Sequence, residues 1–252
     1  MKEIDISIVI PAFNEAKRLP LYLEQVISFC NNSQNIYEII VVDDGSSDNT
    51  FELATTYKTR FTNLHIIRLK NNQGKGYTVK RGLFESRGKI SLFLDADGSV
   101  DPGEIEKNLH YILKAGYDIV VGSRVLKSKD QILIVKQYRK FIGTIFNFLV
   151  QTFLFKPIKD TQCGFKMFRK EVIKPLLSRS YLGGFGFDIE ILYLADQMGY
   201  KVKEEPVSWH HVKGSKINLL TDSIRMFFNI LQVRNWHRTL INPFSEHMGP
   251  DE

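Results

Sequence analysis

The chain has 252 residues, 43% hydrophobic and 25% charged, with 34 Lys and Arg against 28 Asp and Glu. That length and balance exclude a disordered or low-complexity chain and supply enough apolar mass for a layered core without covalent staples. Two cysteines, Cys30 and Cys163, make neither a disulfide framework nor a zinc ribbon. The net charge of +6 favours anionic partners: nucleic acid, phosphorylated substrates or an anionic membrane surface.

The first half alternates. Apolar, β-branched runs at Ile6–Ile10, Glu38–Val42, Leu64–Leu69, Ile90–Leu94 and Asp118–Val121 predict strands. Between them, Lys17–Cys30, Asp48–Arg60, Lys75–Arg87 and Pro102–Ala115 predict helices. This is the pattern of βαβ units and a mostly parallel sheet flanked by helices. Ser47 or Asp48 is placed to cap the second helix, and Pro102 falls at the first turn of the fourth. The second half is less regular. Lys127–Phe155 is long and aromatic, and its uncharged stretch Phe141–Phe155 is too short and too polar for a span, so it is expected to be a buried or interfacial helix. Asp160–Phe168 reads as a polar loop, Phe187–Met198 as a helix, and Val202–Trp209 as a strand that Pro206 assigns to an edge or bulge. Ile217–Trp236 reads as an amphipathic helix. One domain is expected over 1–238, with a flexible polar tail over 239–252. No secretory signal and no transmembrane span are expected.

In open α/β sheets, ligands bind beyond the carboxyl ends of the strands. Here those ends carry Pro11-Ala12-Phe13-Asn14-Glu15, Asp43-Asp44-Gly45-Ser46-Ser47-Asp48 and Asp95-Ala96-Asp97-Gly98-Ser99, so acidic groups from three strands converge on one rim. Asp95 and Asp97, two residues apart, can present oxygens to one hard divalent cation, Mg²⁺ or Mn²⁺. The competing reading is a solvated, self-capped turn; the position after a buried strand favours the metal. Asp44 is either part of a capping turn or an acceptor for a nucleotide base or ribose. Gly74-Lys75-Gly76, opening a helix, suits phosphate. It is not a Walker A loop, and no Gly-x-Gly-x-x-Gly follows the first strand, which weighs against ATPases and dinucleotide enzymes. Adjacent His210 and His211 on a strand face opposite ways and do not make a metal pair. Cys163 reads as a packing residue. The two tryptophans form no stacking platform with basic interleaving, so no nucleic acid is expected.

The set PAFNE, VVDDGSSDNT, NNQGKG, DADGS, VVGSR, DTQCGFK and a late GSK resembles the family 2 glycosyltransferases of GT-A fold, from about Ile6 to Lys216. DTQCGFK points within them to the polyprenyl-phosphate sugar transferases, whose glucosyl branch is the nearer and whose mannose synthases are close cousins. The resemblance implies that Pro11, Ala12, Phe13, Glu15, Asp44, Lys75, Asp95, Ala96 and Asp97 line the donor site, with Asp95 and Asp97 holding Mg²⁺ or Mn²⁺. It implies that Arg124, Arg139, Lys213, Ser215 and Lys216 address phosphate groups, and that Gly143 replaces a small hydroxyl residue of the mannose branch. Asp188 would be a general base or an orienting group. The implied reaction is inverting transfer of glucose from UDP-glucose to a polyprenyl (dolichyl-type) phosphate, with GDP-mannose as the alternative donor. A non-catalytic nucleotide-sugar or membrane-binding module is the alternative of another class. The basic run within Ser123–Lys140 and the stripe Leu219, Leu220, Ile224, Phe227, Phe228, Leu231 with Arg234, Trp236 and Arg238 are expected to seat the protein peripherally on the cytoplasmic face of a membrane.

Overall fold

The structure, a computed structural model, describes residues 3–126, 158–184, 186–210, 212 and 219–237, with the backbone alone for 219–227. Strands β1 (Ile6–Ala12), β2 (Tyr37–Asp43), β3 (Leu64–Arg68), β4 (Ile90–Leu94), β5 (Ile119–Ser123), β6 (Phe165–Arg169) and β7 (Val202–Pro206) form one sheet of order β3-β2-β1-β4-β6-β5-β7. β6 runs antiparallel to both of its neighbours, and the remaining pairings are parallel. Helices α1 (Leu19–Asn32), α2 (Thr50–Thr56), α3 (Lys75–Glu85), α4 (Glu104–Leu113), α5 (Lys170–Leu177), α6 (Phe187–Gln197) and α7 (Leu219–Trp236) complete it.

Strands β1, β2, β4 and β5 are buried along nearly their whole length because both faces are covered, whereas β3 and β7 at the edges are partly exposed. Successive side chains point to opposite faces. Ile8, Ile10, Ile39, Val41 and Leu92 therefore join Leu23, Val26 and Ile105 in one layer. Val9, Ile40, Val42 and Phe93 join Val79, Leu83, Leu192 and Ile189 in the other.

Four expectations need correction. Asp160–Phe168 is not all loop: Phe165 begins β6, and α5 follows it directly. The second helix ends at Thr56 and gives way to a 3₁₀ turn, Tyr57–Thr59. Pro102 precedes α4 rather than opening it; Asp101 accepts the Gly103 N–H (2.7 Å) and builds the entry turn. The last strand stops at Pro206 on the sheet edge, and Trp209 makes an isolated bridge to Val100. Asp48 does serve the start of α2, accepting the Thr50 N–H (3.1 Å) from one position before the cap. Among the described residues no helix is long and apolar enough to cross a membrane. The expected helix Phe141–Phe155, the basic run beyond Leu126 and the tail 239–252 lie outside the described residues.

Candidate active site

The carboxyl ends of β1, β2 and β4 meet at one rim. The first two end loops are stitched together by backbone donors on side-chain oxygens. Asn14 N–H bonds Ser46 Oγ (2.9 Å), Glu15 N–H bonds Thr50 Oγ1 (2.7 Å), and Ser47 N–H bonds Asn14 Oδ1 (2.8 Å). Asn14 adopts φ 51°, a conformation Asn tolerates better than most residues. Pro11 and Ala12 pair in register with Val42 and Asp43, and Phe13 is half-buried where the strand leaves the sheet. Glu15 is buried and bonds Arg18, whose guanidinium reaches to 4.0 Å from Asp97.

Asp44 is buried beside this junction and accepts the N–H groups of Gln73 (2.7 Å) and Gly74 (2.9 Å). Burial raises its pKa, with those two donors pulling the other way. Asp44 thus fixes the Gly74-Lys75-Gly76 turn. Gly74 has φ 91°, and a Cβ there would fall 2.7 Å from the Gly183 carbonyl, so the α3 entrance requires glycine.

Lys75, the first residue of α3, turns its ammonium to Asp95 Oδ1 (2.8 Å) and Asp188 Oδ2 (3.8 Å). Asp188, buried at the start of α6, is bonded on its other oxygen by Lys166 Nζ at 2.5 Å. Lys166 is 0% exposed on β6 and also donates to the Cys163 carbonyl (2.9 Å). Two acids and two lysines therefore alternate beneath the rim. Burial works against ionising Asp95, but Lys75 and, further off, Lys166 and Arg124 hold its pKa below the usual carboxylate range. Burial likewise opposes the Lys75 charge, and Asp95 and Asp188 outweigh it, raising its pKa.

Ala96 is buried between the two candidate metal ligands. Asp97 accepts the Ser99 N–H (3.0 Å) and is 30% exposed at its side chain. Asp95 and Asp97 form an all-oxygen pair open to the rim. That donor set fits a hard divalent cation that takes the rest of its shell from water and phosphate oxygens. Among the described residues no three His, Cys, Asp or Glu side chains are grouped for a metal. Gly164 lies against Asp95: a Cβ would meet its Oδ2 at 2.1 Å.

Arg124, just after β5, is locked in a two-bond pair with Asp160, Nε to Oδ2 and Nη2 to Oδ1 at 2.8 Å each. Its own N–H also bonds Asp160, and its guanidinium lies 6.0 Å from the Trp209 ring centroid. Asp160 is pinned in turn by Glu204 of β7, which accepts the N–H groups of Lys159 and Asp160. Burial opposes both charges, yet the pair lowers the Asp160 pKa and raises that of Arg124.

Glu190 organises the facing loop. It is fully buried and accepts from Ser180 Oγ, Tyr181 N–H and Leu182 N–H, with His237 Nε2 at 3.0 Å. Gly183 then accepts the Tyr77 N–H of α3 (3.0 Å). An open groove of about 900 Å³ between α1 and the start of α4 touches the Asp95–Asp97 turn at Gly98 and includes none of the expected site residues.

The structure thus gathers Pro11, Ala12, Phe13, Glu15, Asp44, Lys75, Asp95, Ala96, Asp97, Arg124 and Asp188 around one rim. Arg139, His211, Lys213, Ser215 and Lys216 lie outside the described residues. Sequence reasoning missed Asp160, Lys166 and Arg18 as partners of these groups. Asp160 and Lys166 both stand within DTQCGFK, so the motif held the signal while the pairing did not show in it.

The family model for "Glycosyl transferase family 2" matches residues 7–177. The dolichyl-phosphate beta-glucosyltransferase of Dictyostelium discoideum is 40% identical over 245 residues, covering 92% of this chain and 74% of that one. The dolichyl-phosphate beta-glucosyltransferase of Saccharomyces cerevisiae is 35% identical over 250 residues, covering 92% and 75%. Among solved structures, glucosyl-3-phosphoglycerate synthase from Mycobacterium tuberculosis, in complex with Mn²⁺, UDP-glucose and phosphoglyceric acid, superposes with a TM-score of 0.67. It is 18% identical and the match covers 92% of this chain and 80% of that one, a likeness of fold.

Proposed function

The chain belongs to glycosyl transferase family 2, and from that premise we propose that it transfers glucose from UDP-glucose to the phosphate of a polyprenyl, dolichyl-type lipid, with inversion at the sugar. It is a glycosyltransferase; the donor, the acceptor and the residue roles are the proposal. The observation that carries it is the 40% identity, over 92% of the chain, to a dolichyl-phosphate beta-glucosyltransferase.

The rim supports the chemistry. Departure of a nucleoside diphosphate develops negative charge, and preorganised cations aimed at that charge lower the barrier. Lys75 stands at the first turn of α3 and brings its ammonium to this rim. Arg124 is held rigidly by Asp160, so its orientation costs no ordering when phosphate arrives. Asp44, the Pro11–Glu15 loop and Ala96 border the space for the nucleotide. Asp95 and Asp97 would hold Mg²⁺ or Mn²⁺. A divalent ion so held supplies charge neutralisation at the diphosphate. The lipid phosphate is anionic at neutral pH and needs no strong base to become a nucleophile. Asp188, paired with two lysines, accordingly serves as an orienting anion. Arg139, Lys213, Ser215 and Lys216 are proposed for the acceptor phosphate on their sequence positions.

A lipid acceptor requires an apolar approach. On α7, Phe228 is 57% and Trp236 43% exposed, with Leu231 beside them and Arg234 in the last turn. An exposed aromatic row with a basic end suits the interface of a membrane, and we place the protein peripherally on the cytoplasmic face.

The test is parallel transfer of radiolabelled sugar from UDP-glucose and GDP-mannose to polyprenyl phosphate in detergent, with Mn²⁺ or Mg²⁺. Label entering the lipid phase from UDP-glucose alone is the expected result. Label from GDP-mannose alone moves the protein to the mannose branch. Transfer from neither, with tight UDP binding retained, supports the non-catalytic nucleotide-sugar module instead.

A further inference from the structure

The ammonium of Lys75 occupies the place beside Asp95 where a metal's charge would be compensated. Its backbone cannot leave: Gly74 N–H is bonded to Asp44, and two residues on, Tyr77 N–H is bonded to Gly183. Its side chain has four rotatable bonds and two carboxylates in reach. The nearer, Asp95, is 2.8 Å away, and the farther, Asp188, 3.8 Å. A movement of about 1 Å toward Asp188 brings the ammonium to hydrogen-bond distance of it and loosens the contact with Asp95.

Asp188 is built to receive it. Its Oδ1 is held by Lys166, which is wholly buried, and Lys166 is fixed by the Cys163 carbonyl. The Oδ2 that faces Lys75 therefore has a fixed position and no need to move. With Lys75 on Asp95, the four groups sum to zero charge. A divalent cation arriving alone at Asp95 would meet a resident positive charge within contact distance of the same carboxylate. Like charges so close disfavour one another strongly in a half-buried setting. A nucleoside diphosphate arriving with the cation removes that conflict, because it brings negative charge to the same rim and gives Lys75 a second anion.

We propose that Lys75 is a displaceable counter-ion of the metal-binding carboxylate Asp95, with Asp188, anchored by Lys166, as its alternative seat, so that divalent-cation binding depends on the nucleotide. The proposal rests on the reading of Asp95 and Asp97 as metal ligands. It assigns Lys166 as a positioning residue, acting through Asp188, and makes the coupling of cation and nucleotide a property of one side chain. By linkage, the factor by which UDP tightens Mn²⁺ must equal the factor by which Mn²⁺ tightens UDP. Part of that factor is the metal bridging the diphosphate, and part is the release of Lys75.

The experiment measures Mn²⁺ binding directly, from the electron paramagnetic resonance signal of free Mn²⁺, on the full chain with and without UDP. For wild type, UDP raises Mn²⁺ affinity. For Lys75→Met, the affinity without UDP rises about tenfold, the lower end of what a neighbouring charge does to a carboxylate's preference for its cation. The enhancement by UDP shrinks by the same factor. Lys75→Arg keeps the charge and keeps nucleotide-free affinity near wild type. Thermal melting checks that each variant is folded. Should Lys75→Met fail to fold, Lys75→Gln removes the charge while retaining a polar side chain, and the same gain is expected. Unchanged or weaker nucleotide-free affinity in the neutral variants overturns the proposal alone, provided Mn²⁺ binds wild type with UDP and Asp97→Asn weakens that binding. Failure of wild type with UDP to bind Mn²⁺, or indifference to Asp97→Asn, overturns the metal reading and this proposal with it.

Discussion

Buried carboxylates sit at both ends of the sheet, and they are partnered in opposite ways. At the amino end, Glu38 of β2 is fully buried and every contact closes on it. Ser7 Oγ and Arg87 N–H bond one oxygen at 2.6 Å each, and Arg87 Nε bonds the other at 2.8 Å. Gly88 N–H then bonds Ser7 Oγ, sealing the strand start. At the carboxyl end, Lys75 is divided between two acids at unequal distances, and Asp97 keeps a 4.0 Å approach to Arg18. A saturated pair stabilises one structure and resists exchange. A shared cation leaves a carboxylate available to a ligand. The same chemical types are thus saturated at one end and shared at the other, and the difference lies in how many donors each oxygen already has.

Three variants and one labelling experiment sharpen this contrast, in decreasing order of effect. Asp97→Ala removes one of the two metal ligands proposed at the rim. Transfer activity is expected to fall by about 10²–10³-fold, the scale seen when one preorganised charge-stabilising group is lost. Its melting temperature should stay within a few degrees of wild type, since Asp97 is partly exposed. Full activity of the variant after metal chelation would contradict the metal assignment.

Glu38→Ala acts at the other end and reverses the pattern. Removing a buried partner strands Ser7 and Arg87, but Arg87 is half-exposed and regains water. The expected loss of stability is therefore about 2–3 kcal/mol, below that of a wholly buried pair. Activity per folded molecule should be unchanged. The pH dependence has a definite sign. Burial raises the Glu38 pKa, yet Ser7 and Arg87 overcome it and hold the folded value below the ordinary 4.5. Its stabilisation is thus present above the unfolded pKa and is lost as pH falls through the depressed folded one. Urea melts between pH 7 and pH 3 should show that loss in wild type and much less of it in the variant.

Gly164→Ala sharpens the contrast from the neighbouring strand. The new methyl would overlap Asp95 Oδ2 at 2.1 Å, so carboxylate or loop must shift. About 2 kcal/mol of stability is expected to go, typical of overpacking. Mn²⁺ affinity in the presence of UDP should fall as Asp95 turns from the rim. Unaltered Mn²⁺ affinity would show that Asp95 is not needed in its observed orientation.

The contrast also explains what the sequence disclosed. β1, β2 and β4 were legible because both of their faces are covered, which writes ISIVIPA, YEIIVVD and ISLFL as near-continuous apolar runs. The rim followed from where those runs stop. β6 begins inside the polar, Gly-containing stretch Asp160–Phe168, which reads as a loop, and its own FKMFR carries two cations in five residues. Lys166 is tolerated in the middle of a buried strand because Asp188, 22 residues later, neutralises it. No local pattern reports a partner that distant. The Arg124–Asp160 pair, 36 residues apart, is hidden for the same reason. Local spacing reveals which groups reach the rim. It does not reveal which of them arrive already engaged.

Cys163 tests that last distinction with the smallest expected effect. Its neighbourhood is cationic: Arg124 is close in space, and Lys166 donates to its own carbonyl. Nearby cations by themselves would favour a reactive thiolate. The residue is fully buried, however, and burial, with the Asp160 charge, pushes the thiol up to about 12. The cations are engaged with Asp160 and Asp188 and have little charge to lend the sulfur. Iodoacetamide at pH 8 should therefore leave Cys163 unmodified in the folded protein and label it promptly in urea, as read by peptide mass. Labelling of the native protein at the rate of the denatured one would mean that the loop leading into β6 opens readily. In that event the ion pairs at this end of the sheet would be too loosely held to orient Arg124, and the rigid phosphate contact proposed for it would not stand.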